Sequence, residues 1–178
     1  MDDYGTIGAG ELAWNRRHII EMFKHRYYRN NVVTAIVLIA FVGYCLVMLN
    51  LLFFRARHAL DMYHYNLIPF ATIEQLVIHR DHYSTETWVK NLFGNIILFI
   101  PLGIFIPLLN QKFMQVAKFV MLVVVLIFVV ECAQMLTCVG RFDVDDIMLN
   151  TVGGWIGLVL TRRLCRQVTQ SIDTTKGV

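Results

Sequence analysis

Glu131, Gln134, Arg141, Asp143, Asp145, Asp146 and Asn150 fall within one short stretch of an otherwise apolar sequence. Glu131 and Gln134, three residues apart, share one face of a helix, and Asp146 and Asn150, four apart, share a face of the next. A charge at the centre of a membrane helix costs about 2.5–3.5 kcal/mol on insertion scales. Carboxylates at the ends of two apolar runs therefore mark a candidate site. Such a set offers hydrogen bonds to a polar headgroup, oxygens to a cation, or a base to a reaction. Part of the set also has a structural use. Asp143 is placed as the N-cap of the second helix, and Asp145 and Asp146 sit favourably against its dipole. An ion pair with Arg141 accounts for a further carboxylate. Glu131 has no such local reason: it pairs with Arg141 across the turn, is neutralised by burial, or binds something.

Other chemistries have less in their favour. Asp143, Asp145, Asp146 and Glu131 supply hard oxygens, and a divalent ion held there could bridge to a lipid phosphate. The spacing matches no metal motif, however, and neighbouring aspartates on a helix diverge by about 100°, so no metal and no cofactor is assigned. His79 and His82 form a ligand pair only if their loop is helical. No Gly-x-Ser-x-Gly occurs, and Thr137 has no base beside it. Cys45, Cys132, Cys138 and Cys165 fit no metal spacing and read as small apolar residues; Cys132 and Cys138 would face apart on one helix.

The elements that must position these residues are membrane spans. The chain has 178 residues, 57% hydrophobic and 16% charged, with a mean hydropathy of +0.56. That composition excludes an ordinary soluble domain. A net charge of +3 suits anchoring to anionic lipid and gives no support for nucleic-acid binding. Four apolar segments approach the length needed to cross about 30 Å of hydrocarbon: residues 32–54, 92–109, 119–139 and 144–161. Arg55, Arg57 and His58 stop the first. A polar loop follows to about Lys90, with an Asn66-Leu67-Ile68-Pro69-Phe70 patch, a short interfacial helix over residues 73–78, and Trp88 as an interfacial anchor. The second span carries Asn95, Pro101, Gly103 and Pro107. Proline frees a backbone carbonyl that neighbouring helices must satisfy, which argues for a buried helix. In the last span, Gly153-x-x-x-Gly157 is a face for close helix contact.

Residues 1–31 are polar and basic, and residues 11–28 could lie on the membrane as an amphipathic helix; no signal peptide is evident. Four spans place both termini and the 110–118 link on one side, with eleven Lys and Arg against five opposite. The positive-inside rule makes that side cytoplasmic. The polar ends of the spans, with Asn50, Asn95, Glu131, Gln134, Asp145, Asp146 and Asn150, then face outward together.

Three blocks carry a resemblance. They are the Asn66–Phe70 patch, residues 91–103 from Asn91 through Asn95 to Gly103, and Glu131-x-x-Gln134 followed by Arg141-x-Asp143-x-Asp145-Asp146 and Asn150-Thr151-x-Gly153-Gly154. In order and spacing the chain resembles the VanZ-like family of bacterial membrane proteins, over roughly residues 66–160. The resemblance implies a small multi-span protein associated with low-level resistance to teicoplanin-type glycopeptides, and it implies no known reaction.

The sequence reading is therefore an all-α integral membrane protein, a bundle of four transmembrane helices. It has a basic cytoplasmic leader (1–31), a membrane domain (32–161) with a long outer loop, and a cytoplasmic tail (162–178). Its expected activity is binding of a membrane lipid or cell-envelope ligand in an outer-leaflet polar pocket lined by Asn91, Asn95, Glu131, Gln134, Arg141, Asp143, Asp145, Asp146 and Asn150. The competing expectation is a membrane enzyme acting on a lipid-linked headgroup, with Glu131 as general base and the aspartates holding a cation. A third is a structural subunit whose polar turn only caps helices.

Overall fold

A computed structural model describes residues 31–54 and 64–176. The basic leader, its amphipathic helix and the stop signal at Arg55, Arg57 and His58 lie outside the described residues.

The first helix, α1 (Asn31–Leu49), is apolar along its length and widens into a π-helical turn, Asn50–Phe54. After the extended pair β1 (Tyr65–Asn66), Pro69 and Phe70 make a turn with Phe70 at φ 68°. This turn starts the short helix α2 (Ala71–Ile78). A 3₁₀ turn (Arg80–His82) leads to α3 (Thr85–Val89). That helix passes through a second π-helical turn, Lys90–Gly94, into α4 (Asn95–Leu109). A 3₁₀ link (Gln111–Met114) precedes α5 (Val116–Leu136). The pair β2 (Phe142–Asp143) then opens α6 (Val144–Lys176).

Three stretches among the described residues are long and apolar enough to cross a membrane: Asn31–Phe54, Lys90–Leu109 and Val116–Leu136. Their outward faces carry large exposed apolar side chains, such as Ile36, Ile39 and Leu46 on α1 and Met121, Val125 and Val129 on α5. Such a surface needs lipid around it. With the rest of the described chain mostly helical, this is an all-α membrane protein.

The core lies between α4, α5 and α6, where Phe99, Leu102, Ile106, Phe119, Val123, Ile127 and Leu158 are buried together, with Met48 of α1 joining them. Helices α4 and α6 run in the same direction and nearly touch. A Cβ placed on Gly153 would lie 2.1 Å from the Ile96 carbonyl oxygen, and one on Gly157 would lie 2.0 Å from that of Ile100. The expected small-residue face is therefore the seam itself, where only glycine admits such an approach. Pro107 removes the N–H that would have bonded the Gly103 carbonyl within α4. The Thr161 hydroxyl of α6 donates to that carbonyl at 3.2 Å, as well as to its own Gly157 carbonyl at 2.9 Å. The Tyr44 hydroxyl ties α1 to α4 by donating to the Leu98 carbonyl at 2.9 Å.

Two helix limits differ from the sequence reading. Helix α5 ends at Leu136 rather than near residue 139. Cys138 adopts a left-handed backbone (φ 55°), and the N–H groups of Val139 and Gly140 turn back onto the Gln134 carbonyl. With the Cys138 N–H also donating to the Met135 carbonyl, this is a Schellman helix end made without glycine, and it puts Cys138 off the helix that carries Cys132. The other difference is α6, which continues past Thr161 to Lys176 instead of giving way to a separate tail. The residues after Thr161 include Arg162, Arg163, Leu164, Arg166 and Gln167, good helix formers with no Pro or Gly before Gly177. Arg162 also anchors the helix by donating to the Met114 carbonyl, from Nε at 2.9 Å and from its terminal nitrogen.

Candidate functional site

The polar residues gather where α5 ends and α6 begins, and the loop after α1 folds back onto them. Residues Tyr65 and Asn66 pair in parallel with Phe142 and Asp143, and the Phe142 N–H donates to the His64 carbonyl at 3.0 Å. This short bridge holds the start of α2 against the start of α6.

Asp143 and Asp145 are fully buried at the centre of the junction. Asp143 is the N-cap of α6, its Oδ1 accepting the Asp145 N–H at 3.0 Å. That Oδ1 also accepts from the Asn66 amide at 3.2 Å, while Oδ2 accepts the Thr72 hydroxyl at 2.7 Å. The half-exposed Arg141 guanidinium lies 3.0 Å from Oδ2 and also donates to the Thr72 oxygen at 3.1 Å. A buried carboxylate needs such an escort, because several kcal/mol of hydration are lost when it leaves water.

Asp145 does a different job. Its Oδ1 accepts the Phe70 N–H at 2.5 Å, and its Oδ2 accepts those of Thr72 at 2.8 Å and Ile73 at 3.1 Å. The first N–H groups of a helix have no partner inside it, and at α2 they converge on this carboxylate from another helix. The partial positive charge of the α2 N-terminus adds to the attraction.

Glu131 is almost wholly buried on α5, and its Oε2 accepts the Asp143 N–H at 3.2 Å. It thus braces the turn into α6. Gln134, also buried, donates from its side chain to the Leu52 carbonyl at 2.9 Å, joining α5 to the π-helical end of α1. Asn95 donates to Asp146 Oδ1 at 2.5 Å and links the start of α4 to α6. Asn91 stands exposed in the π-helical turn before α4, outside this network.

Asn150 is the exception. One turn beyond Asp146 on α6 it is 3% exposed, and its Oδ1 has no hydrogen-bonding partner. A buried acceptor oxygen left unpaired costs about 1–3 kcal/mol.

The structure thus brings Glu131, Gln134, Arg141, Asp143, Asp145 and the Asn95–Asp146 pair to one end of the helices. Asn66 and Thr72 belong to this network, although the sequence reading did not place them in the pocket. The signal for them was the Asn66–Phe70 patch, which Thr72 follows by two residues. Among the described residues no three His, Cys, Asp or Glu side chains are placed to hold a metal ion together. His79 and His82, at the end of α2 and in the 3₁₀ turn, have rings 5.7 Å apart in an edge-on contact.

Residues 41–166 match the VanZ/LLP1 family model. Protein VanZ of Enterococcus faecium is 31% identical over 99 residues, a match covering 54% of this chain and 59% of that protein. The matched part is thus less than two-thirds of the relative's length. No solved structure matches the chain. The chain belongs to the VanZ/LLP1 family.

Proposed function

We propose that this VanZ/LLP1 protein binds the polar headgroup of an envelope lipid or cell-surface ligand at the junction of α4, α5 and α6. Asn150, Asp146 and Asn95 make the contact, and Glu131, Gln134, Arg141, Asp143 and Asp145 hold the junction in shape. The observation that supports this reading is the unpaired side-chain oxygen of Asn150, a buried group one turn from a carboxylate. Natural chains rarely retain such a group without a use for it. In this reading α6 crosses the membrane as a fourth span and both termini are cytoplasmic, so the junction opens toward the outer leaflet. The resemblance to the VanZ-like family extends the proposal to tolerance of teicoplanin-type glycopeptides.

The alternative of Glu131 as general base has less support, because Glu131 is almost wholly buried and its Oε2 faces the main chain that leads into α6. A base must come within hydrogen-bond reach of its substrate.

Asn150→Leu tests the proposal, since leucine keeps the branched shape and removes the unpaired oxygen. The variant should melt at or above the wild-type temperature. It should also lose the polar lipid that wild-type protein carries through purification in mild detergent, as read by native mass spectrometry. Teicoplanin tolerance in a sensitive host should fall in parallel. Equal lipid content and tolerance in wild type and variant would refute the assignment.

A further inference from the structure

The segment between the first two apolar helices presents more apolar surface than its position in a polar loop requires. Leu67 and Ile68 are 60% and 69% exposed, and Phe70 and Val77 are 56% and 58% exposed. Phe70, Ile73 and Val77 are spaced i, i+3, i+7 and so form one flank of α2. Leu76, about 100° round the helix from Val77, turns into the protein, and Glu74, Gln75 and the exposed Ile78 occupy the remainder. The segment therefore has a protein side and an apolar flank, with Gln75 on the far side from Val77.

We infer that residues 67–78 are an interfacial anchor, with Leu67, Ile68, Phe70 and Val77 set into the acyl chains of the leaflet nearest the α5–α6 junction. Three observations lead there. The hydrogen bonds from Phe70, Thr72 and Ile73 to Asp145, together with the bridge from Tyr65 and Asn66 to Phe142 and Asp143, fix the segment's depth. That depth is the level at which the apolar helix α5 ends, and an apolar helix long enough to cross ends near the edge of the hydrocarbon. Entry into an apolar medium also requires that backbone donors be satisfied. The N–H groups of residues 70, 72 and 73, the ones a short helix would otherwise leave bare, are taken up by a carboxylate from inside the protein. Finally, Arg80 stands over the Trp88 ring at 4.9 Å, and the Trp88 indole donates to the Leu76 carbonyl at 2.9 Å. An aromatic ring beside a basic side chain is the pairing found at the headgroup level. The inference stands apart from what the junction binds.

The test uses the full chain in phosphatidylcholine vesicles, with Trp14, Trp88 and Trp155 kept in place. Two variants each add one fluorophore, Val77→Trp on the apolar flank and Gln75→Trp on the far side. Emission added by Val77→Trp should be largely lost when the vesicle lipids carry bromine on their acyl chains, and acrylamide in the water should barely affect it. Emission added by Gln75→Trp should show the reverse. Quenching of Val77→Trp by acrylamide alone would overturn the anchor. So would quenching by neither agent, the result expected if a second copy of the chain covered this flank. If Val77→Trp does not fold, Ile68→Trp carries the same reading with the same outcomes.

Discussion

Asp145→Asn should destabilise the protein far more than the loss of one charge at a helix start would suggest. The carboxylate is fully buried and accepts three main-chain N–H groups at 2.5, 2.8 and 3.1 Å. Asparagine has the same shape but only one acceptor oxygen. Whichever way it turns, at least one N–H of α2 meets an NH₂ group instead of an oxygen. Hydrogen bonds to a charged partner contribute about 1.5–3 kcal/mol each, and the three share one carboxylate, so they do not add in full. Losing one such bond outright and leaving its N–H facing an NH₂ group puts the total at about 3–5 kcal/mol. For a chain of this size that is a fall of roughly 6–20 °C in apparent melting temperature. The assay is thermal unfolding in detergent, with amide hydrogen exchange as a second readout. The amides of Phe70, Thr72 and Ile73 should lose protection while those in the middle of α5 keep theirs. Asp81→Asn, at an exposed aspartate in the same loop, should stay within about 0.5 kcal/mol of wild type. If Asp145→Asn matches that control and the three amides remain protected, the assignment of Asp145 as the cap of α2 is wrong.

Two more outcomes follow. Thr161→Val removes the hydroxyl that donates to the Gly103 carbonyl and should cost about 0.6–1.7 kcal/mol, the range of interhelical hydrogen bonds in membranes. In a Pro107→Ala background the cost should shrink, because alanine restores the N–H that bonds Gly103 within α4. Equal costs in both backgrounds, by thermal unfolding, would show that the proline and the threonine are uncoupled. For the proposed orientation, Glu74→Cys should react with a membrane-impermeant maleimide on intact cells and Lys112→Cys only after permeabilisation, with the four native cysteines replaced by alanine. The opposite labelling pattern would turn the junction to the cytoplasm.

Much of this architecture was legible because its causes are local or periodic. Apolar runs gave the three helices that meet the length for crossing, Pro107 announced a carbonyl in need of a donor, and Gly153 and Gly157 marked the seam with α4. The end of α5 was less legible, since a left-handed cysteine replaces the glycine that usually signals it. Basic residues after Thr161 looked like the end of a helix, although arginine, leucine and glutamine propagate one readily. The division of labour among the carboxylates was hidden for a different reason. Asp145 serves a helix start more than seventy positions earlier in the chain, and no spacing rule reaches so far. Glu131 looked unexplained because its contact is to a main-chain N–H, that of Asp143 across the turn, which no side-chain pattern marks.

The separation of those partners sets an order of assembly. Asn66, Phe70, Thr72 and Ile73 emerge during synthesis long before Asp143 and Asp145. Until α6 arrives, the start of α2 is uncapped and Asn95 of α4 lacks its partner Asp146. The Leu52 carbonyl likewise waits 82 residues for Gln134. The junction therefore closes in two stages: α5 ties to the end of α1 first, and Asp143, Asp145 and Asp146 take their partners only when α6 follows. Chains that stop before Val144 should accordingly insert yet leave the segment before α3 open to protease.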